Sequence, residues 1–373
     1  MRVPVILFAV LFTVQATAQT NEITVQKKNA ATTVKNQAQT GTCWCFSTTS
    51  LVESECLRKG QPSLDLSEMF TVRNMYLEKA QNYIRRQGAA RFDEGGLGHD
   101  VIHAMAVYGA MPESAYSGLI NGQTQHNHSQ LVSDLRSYLD SLLKAKRPIP
   151  DNWQQRFTAI LDQYLGKPPA TFEYKGHTYT PLTFAKEVVK FDPADYAFFT
   201  SFTHHPFYQS FIVEVPDNFS NGAYYNVPLK ELVSLTKTAV ENGYTVMWDA
   251  DVSNRGWMPG KGYALAPANG APVQGSEINP DLNEQPDSQE YRQRLYEELV
   301  TQDDHLMHII GLGKSPKGKD FFIVKNSWGT NGPLSGYVNV SEPYFALNTI
   351  TVIMPKAALN KAVKEKLAMA MKN

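Results

Sequence analysis

Thr40-Gly41-Thr42-Cys43-Trp44-Cys45-Phe46-Ser47, introduced by Val34-Lys35-Asn36-Gln37, is the stretch around which the rest of the chain is organised. Gly41 and its small neighbours predict a turn. The run from Cys43 to about Cys56 predicts a helix, with Phe46, Leu51 and Val52 at helical spacing. A cysteine on a first helical turn faces the positive end of the helix dipole, which favours the thiolate and lowers the thiol pKa. Gln37, six residues upstream, can swing an amide N–H toward the same point. Together they offer a nucleophile and one donor for a developing oxyanion. The competing reading is a buried cysteine packed beside Trp44 and Phe46.

A thiolate nucleophile needs a base that later acts as an acid. Asp303-Asp304-His305-Leu306-Met307-His308-Ile309-Ile310-Gly311 offers two histidines. Residues three apart on a strand face opposite sides, so only one of them can face Cys43. Phe321 to Lys325 predicts a further strand, ending in the turn Asn326-Ser327-Trp328-Gly329. Upstream, Asp93-Glu94-Gly95-Gly96-Leu97-Gly98-His99-Asp100 is a breaker-rich loop running into a helix from Val101 to Tyr108. Its paired glycines let another backbone approach closely. His99 and His103 stand four apart on that helix, where two imidazoles could share a metal. No glutamate follows His99 and no third ligand is evident, so packing is expected, and neither a metal nor a cofactor.

With VKNQ and GTCWCFS in front and NSWG behind, the chain resembles the papain-family cysteine peptidases, including their six-residue step from glutamine to cysteine. The resemblance implies Cys43 as nucleophile with Gln37 at the oxyanion. It also chooses between the histidines, because papain relatives place theirs after an Asp or Asn and six residues before a glycine. His305 meets both conditions and His308 neither. Asn326 would accept the histidine ring N–H and Trp328 would shield that bond from water. Gly95 and Gly96 would hydrogen-bond the substrate main chain. The glycine pair, Tyr108-Gly109, Pro112, a large helical insertion and Val246-Met247-Trp248-Asp249-Ala250-Asp251-Val252 resemble the bleomycin hydrolase and aminopeptidase C branch in particular. Most secreted papain relatives carry a disulfide cysteine where this chain has Thr40. In the bleomycin hydrolase branch the chain terminus reaches the cleft, and its carboxylate holds the free amine of the substrate. Here the chain ends at Lys372-Asn373 without the Pro-rich extension typical of that branch, so aminopeptidase and endopeptidase action both stay open. Hexamers are an expectation of the resemblance alone.

The 373 residues are 42% hydrophobic, with 35 basic and 36 acidic side chains. Such a balance supports a sizeable core and argues against a dedicated nucleic-acid binder. Arg2, the apolar run Val3 to Val14 and Ala16-Thr17-Ala18 follow the plan of a signal peptide cleaved after Ala18, with no membrane anchor left behind. The mature chain would then be exported, periplasmic or secreted, with 18 residues between the cleavage point and Gln37, too few for a long inhibitory propeptide. Cys45 and Cys56 lie eleven residues apart on one predicted helix, about 16 Å, too far for a disulfide.

Further along, Ser67 is placed to cap a helix from Glu68 to about Arg86. Leucine and aromatic stripes predict helices over Leu131 to Lys146 and Trp153 to Leu165. Strands or aromatic loops follow near Tyr196, His204-His205 and Phe211, then a helix from Leu229 to Asn242 and a buried strand from Tyr244. Pro259 to Pro286 predicts a long surface loop or linker, Gly336 to Ser341 and Thr349 to Met354 predict strands, and Lys356 onward an Ala/Lys helix. The expectation is an α+β, papain-like, two-lobe fold. It comprises residues 1–18 as signal peptide, 19–118 as a helical lobe, 119–240 as a mostly helical insertion and 241–373 as a β-barrel-like lobe. The expected activity is hydrolysis of peptide substrates by a Cys43 thiolate and a His305 imidazolium. A non-enzymatic binder that uses such a cleft for peptides is the alternative from another class.

Overall fold

The computed structural model describes residues 22–268 and 278–370. The expected signal segment and the final Lys372-Asn373 lie outside the described residues. The predicted helix behind Gly41 forms as α1, Cys43–Arg58, and everything from Cys43 to Cys56 on it is buried. It is a central helix, enclosed on all sides. Packed around it are α2, Glu68–Arg85, and α3, Gly98–Tyr108. The Ser67 hydroxyl accepts the Phe70 amide at 3.1 Å, which is the N-cap that the sequence suggested.

Two insertion helices, α4 (Ser129–Lys144) and α5 (Trp153–Leu165), bury Leu131, Leu135, Leu139 and Leu142 against Phe157, Leu161 and Leu165 on the outer side of α2. The strands that follow do not form a layer of their own. Tyr196–Thr200 pairs with Thr349–Pro355 at the far end of the chain, and Ala223–Asn226 and Ser210–Ile212 extend that edge. The sheet then continues through Val246–Ala250, His305–Lys314, Asp320–Lys325 and Tyr337–Ser341.

A barrel-like lobe was expected; the sheet is open. Among the described residues its path runs from Ser210–Ile212 to Trp257–Met258 without closing. The reason lies in what covers its apolar face. Helices Leu229–Glu241 and Glu342–Asn348 bury Leu232, Val240 and Phe345 against Trp248, Phe322 and Val352, so the sheet has no need to fold onto itself. The stretch from Pro259 to Pro286 also differs from the expected linker. Tyr263–Ala264 pairs with Tyr337–Ser341, Leu265 and Ile278 pack on Phe321, and Glu284 accepts the Ser341 hydroxyl at 2.5 Å. Two-residue strands carry no detectable alternation, which is why composition alone suggested a loop.

The two halves are joined by the segment before the nucleophile. Thr24–Lys28 pairs with His305–Lys314, and Asn29 then donates to the Val240 and Tyr244 carbonyls at 2.8 and 2.6 Å. Lys35 reaches the helical side, where it ion-pairs with Glu53 (3.3 Å), Asp65 (2.7 Å) and Glu68 (2.8 Å). The Gln37 amide returns to the Ser327 carbonyl at 2.8 Å. This strap ends at Gln37, six residues before Cys43, and Gln37 lines the cavity beside that cysteine.

Candidate active site

Strand pairing brings two of the expected residues together. In the antiparallel pair of His305–Lys314 and Asp320–Lys325, His308 stands opposite Lys325. Stepping back three residues on one strand and forward one on the other places His305 and Asn326 at the same end. Their side chains meet, His305 Nε2 lying 2.7 Å from Asn326 Oδ1. The same oxygen accepts the Ser327 amide at 2.7 Å, which fixes the amide with its carbonyl toward the ring. Asn326 Oδ1 is therefore the acceptor, His305 Nε2 carries the proton, and Nδ1 is left as the basic nitrogen. Trp328 stacks on the imidazole with centroids 4.5 Å apart and planes 28° apart. His308, on the opposite strand face, is buried with Nδ1 2.9 Å from Ser50 Oγ.

Cys43, Gln37, His305 and Trp328 line one cavity of about 440 Å3, and Gly95 and Gly96 line its opposite side. That volume lies within the usual range for ligand sites. Gln37 is held at both ends. Its Nε2 donates to the Thr40 carbonyl at 2.7 Å, and its Oε1 accepts the Ser327 hydroxyl at 2.6 Å. One N–H of Nε2 remains for a ligand. Thr40 occupies the position of the absent cysteine and is buried, its hydroxyl donating to the Gln37 carbonyl at 2.8 Å. The glycines are required by space. A Cβ on Gly96 would come within 3.1 Å of the Trp44 ring, and one on Gly95 would collide with the Asp217 carboxylate.

The electrostatics differ from the expectation. The helix N-terminus was expected to lower the Cys43 pKa; instead burial pushes the thiol up to about 12. Asp303 and Asp249 add to that rise, against the Leu306 and Trp44 amides that favour the thiolate. Burial likewise pushes His305 down to about 4, against the support of Asn326 and Asp304. Each charge taken singly is opposed by the site.

The three cysteines are free and buried, and Cys45 packs in the core with Sγ 3.3 Å from the Glu68 carbonyl. His99 and His103 do not converge. His99 contacts Tyr224 Oη and Ser220 Oγ, while His103 pairs with Glu78. His204 and His205 both reach Glu214, at 3.1 and 2.8 Å, on an exposed loop. Several residues of the cavity did not stand out from the sequence. Glu94 accepts the Gly41 amide at 2.6 Å and so pins the turn before Cys43. Asp217, Asp249 and Asp303 crowd the far side of the cavity or stand directly behind it. The Asp303-Asp304 doublet beside His305 was the one available signal; Asp217 comes from 174 residues along the chain after Cys43 and had none.

A family model, the Peptidase C1-like family, matches residues 7–372. Aminopeptidase G of Lactobacillus delbrueckii subsp. lactis is 24% identical over 384 residues, covering 90% of this chain and 83% of that protein. Aminopeptidase C of Listeria innocua serovar 6a is 23% identical over 376 residues, covering 89% and 82%. The crystal structure of PepW from Lactobacillus rhamnosis HN001 shares the fold with a TM-score of 0.74 at 19% identity, covering 94% of this chain and 86% of that one. A match over nearly the whole length, on a papain-like α+β fold, places the protein in the Peptidase C1-like family as a cysteine peptidase of the aminopeptidase C and bleomycin hydrolase branch.

Proposed function

We propose that the chain is an aminopeptidase in which Cys43 is the nucleophile and His305 the acid–base residue. As the Cys43 sulfur attacks the scissile carbonyl carbon, its proton passes to His305 Nδ1. The oxyanion is held by the free Gln37 Nε2–H and the Cys43 backbone N–H, donors already oriented before the substrate arrives. Collapse breaks the C–N bond, and the leaving amine takes the proton from His305. Water then gives a proton to His305 and its oxygen to the thioester carbon. The C–S bond breaks, and Cys43 recovers the proton. Asn326 orients the ring throughout, and Trp328 covers the Asn326–His305 bond.

The observation that carries this reading is the 2.7 Å contact of His305 Nε2 with Asn326 Oδ1 at a cavity shared with Cys43 and Gln37. Aminopeptidase action, rather than endopeptidase action, is supported by the names of the relatives. The test is hydrolysis of short peptides by Cys43→Ser, expected to fall about a thousandfold or more; full retention would overturn the assignment. We propose further that residues 1–18 direct export and are removed after Ala18, on the sequence pattern alone. Assembly into hexamers stands as a proposal from family resemblance.

A further inference from the structure

Two histidines and a carboxylate outside the catalytic cavity converge on one point. His204 and His205 lie on the loop after Tyr196–Thr200, and Glu214 follows Ser210–Ile212. His204 Nε2 is 3.1 Å from Glu214 Oε2 and His205 Nε2 is 2.8 Å from Glu214 Oε1, so each ring takes a different oxygen. One ligand atom from each of the three residues lies within 4.8 Å of the other two, and no other such group converges this way among the described residues. Ligands of a tetrahedral ion with bonds of about 2.1 Å stand about 3.4 Å apart, so a cation needs only small side-chain shifts to sit between them.

The backbone on both sides of this point is held. Asn226, fully buried, donates to the Phe202 and His205 carbonyls at 2.7 and 2.9 Å and accepts the Phe202 amide at 2.9 Å. Tyr296 Oη donates to the Glu214 carbonyl at 2.8 Å. The rings are held too. His205 stacks on Phe211 with centroids 4.1 Å apart, and His204 lies along Tyr296, 5.7 Å away with planes 13° apart. His204 and Glu214 line a cavity of about 780 Å3 that shares Arg91, Asp303 and Asp304 with the catalytic one. An ion here would tie the histidine loop to Glu214, three residues before Asp217 at the catalytic cavity.

A neutral imidazole has one N–H, and here each ring turns its own toward the Glu214 carboxylate, which can only accept. A cation in place of the two Nε2 protons keeps Glu214 satisfied, and each proton moves to Nδ1, so none is released. For His205 this costs little, since it bonds through Nε2 alone among the described residues. His204 is opposed. Gln293 Oε1 accepts the Thr203 amide at 2.7 Å, which turns its Nε2 donor to His204 Nδ1 at 2.9 Å. That amide must turn over on loading, which weakens binding about 10- to 100-fold against a site with an acceptor there. Two imidazole nitrogens beside one carboxylate suit Zn2+, Co2+, Ni2+ and Cu2+, and not the oxygen-seeking Ca2+ or Mg2+. We infer that His204, His205 and Glu214 form a binding site for a zinc-like divalent cation, with a fourth position open to water. The site shares no residue with the catalytic cavity and is independent of the peptidase reading.

The test uses Cys43→Ala, purified without a polyhistidine tag, so that the nucleophile thiol supplies no ligand. Zn2+ is titrated in competition with a chromophoric chelator, and Co2+ is followed by its visible absorption. One ion per chain is expected, with Kd in the micromolar range. Co2+ should give visible d–d bands without the charge-transfer band of a thiolate. Adding His205→Ala or Glu214→Gln, both at exposed side chains, should weaken Zn2+ binding about a hundredfold or more. His103→Ala, which removes an exposed histidine paired with Glu78, should leave it unchanged. Thermal melts read the same contact, because Zn2+ should raise the Tm of Cys43→Ala and not that of its His205→Ala or Glu214→Gln derivative. Binding no tighter than about 1 mM, a thiolate band with Co2+, or an affinity indifferent to both substitutions overturns the site.

Discussion

The two walls of the cleft are built on opposite principles. On the wall of Gln37, His305 and Asn326 the polar groups answer one another: Gln37 is tied to Thr40 and Ser327, and Asn326 to His305 and the Ser327 amide. On the wall of Asp217, Asp249 and Asp303, one oxygen of each carboxyl is buried with no donor among the described residues. A wall whose groups are satisfied is preorganised for a reaction and stabilises the fold. A wall whose groups are left unsatisfied costs stability until a ligand completes it. Substitutions on the two walls should therefore have effects of opposite sign on stability.

The largest effect is expected where the satisfied wall loses the partner of the sulfur. In His305→Ala nothing accepts the Cys43 proton in a buried site that already pushes the thiol up to about 12. Alkylation of Cys43 by iodoacetamide at neutral pH should drop about a hundredfold or more below wild type. An unchanged rate would show that the two groups are not paired. Next comes the ion cluster that anchors the strap behind this wall. Burial opposes the Lys35 charge, and Glu68, Glu53 and Asp65 hold it. Lys35→Met leaves Glu53 and Glu68 buried without their cation and should lower unfolding stability by about 3–5 kcal/mol in denaturant titration.

The smallest effect has the opposite sign. Asp303→Asn should raise stability by about 1 kcal/mol at neutral pH, as it removes a carboxyl that burial and Asp249 push well above the usual range. Burial also pushes Asp249 up from 3.8 to about 7. A carboxyl with a raised folded-state pKa holds a proton that the unfolded chain has released, so it costs stability as pH rises through that window. The gap between the variant and wild type should therefore widen from about pH 4 to about pH 7 in thermal melts. A constant gap would mean that the pair does not titrate there.

Much of this was legible before any coordinates. The leucine and aromatic stripes of the insertion came from 3.6-residue periodicity, which survives because each of those helices buries one face, and the helix starts after Gly41 and Ser67 came from local turn and capping chemistry. Strand geometry allowed only one of His305 and His308 to face Cys43; the choice of His305 and the role of Asn326 came from the family resemblance of the residues around them. What stayed hidden depends on distance along the chain. Asp217 reaches Gly95 from across 122 residues, and Asp249 becomes a neighbour of Asp303 only through strand pairing of Val246–Ala250 with His305–Lys314. The raised Cys43 pKa was likewise invisible, since the dipole is a local property and burial is not. The open sheet escaped because the helices that cover it come from two separate stretches of sequence.

The strap from Thr24 to Gln37 ties the two halves of the molecule together at the edge of the cavity. It is hydrogen-bonded to the sheet at Asn29, anchored to the helices at Lys35 and bonded to the sheet again at Gln37, a stitch of three crossings in a short run of backbone. Such a seam resists both spreading and sliding of one half against the other. A pull on either half is passed along this backbone to Gln37, which lines the cavity beside Cys43.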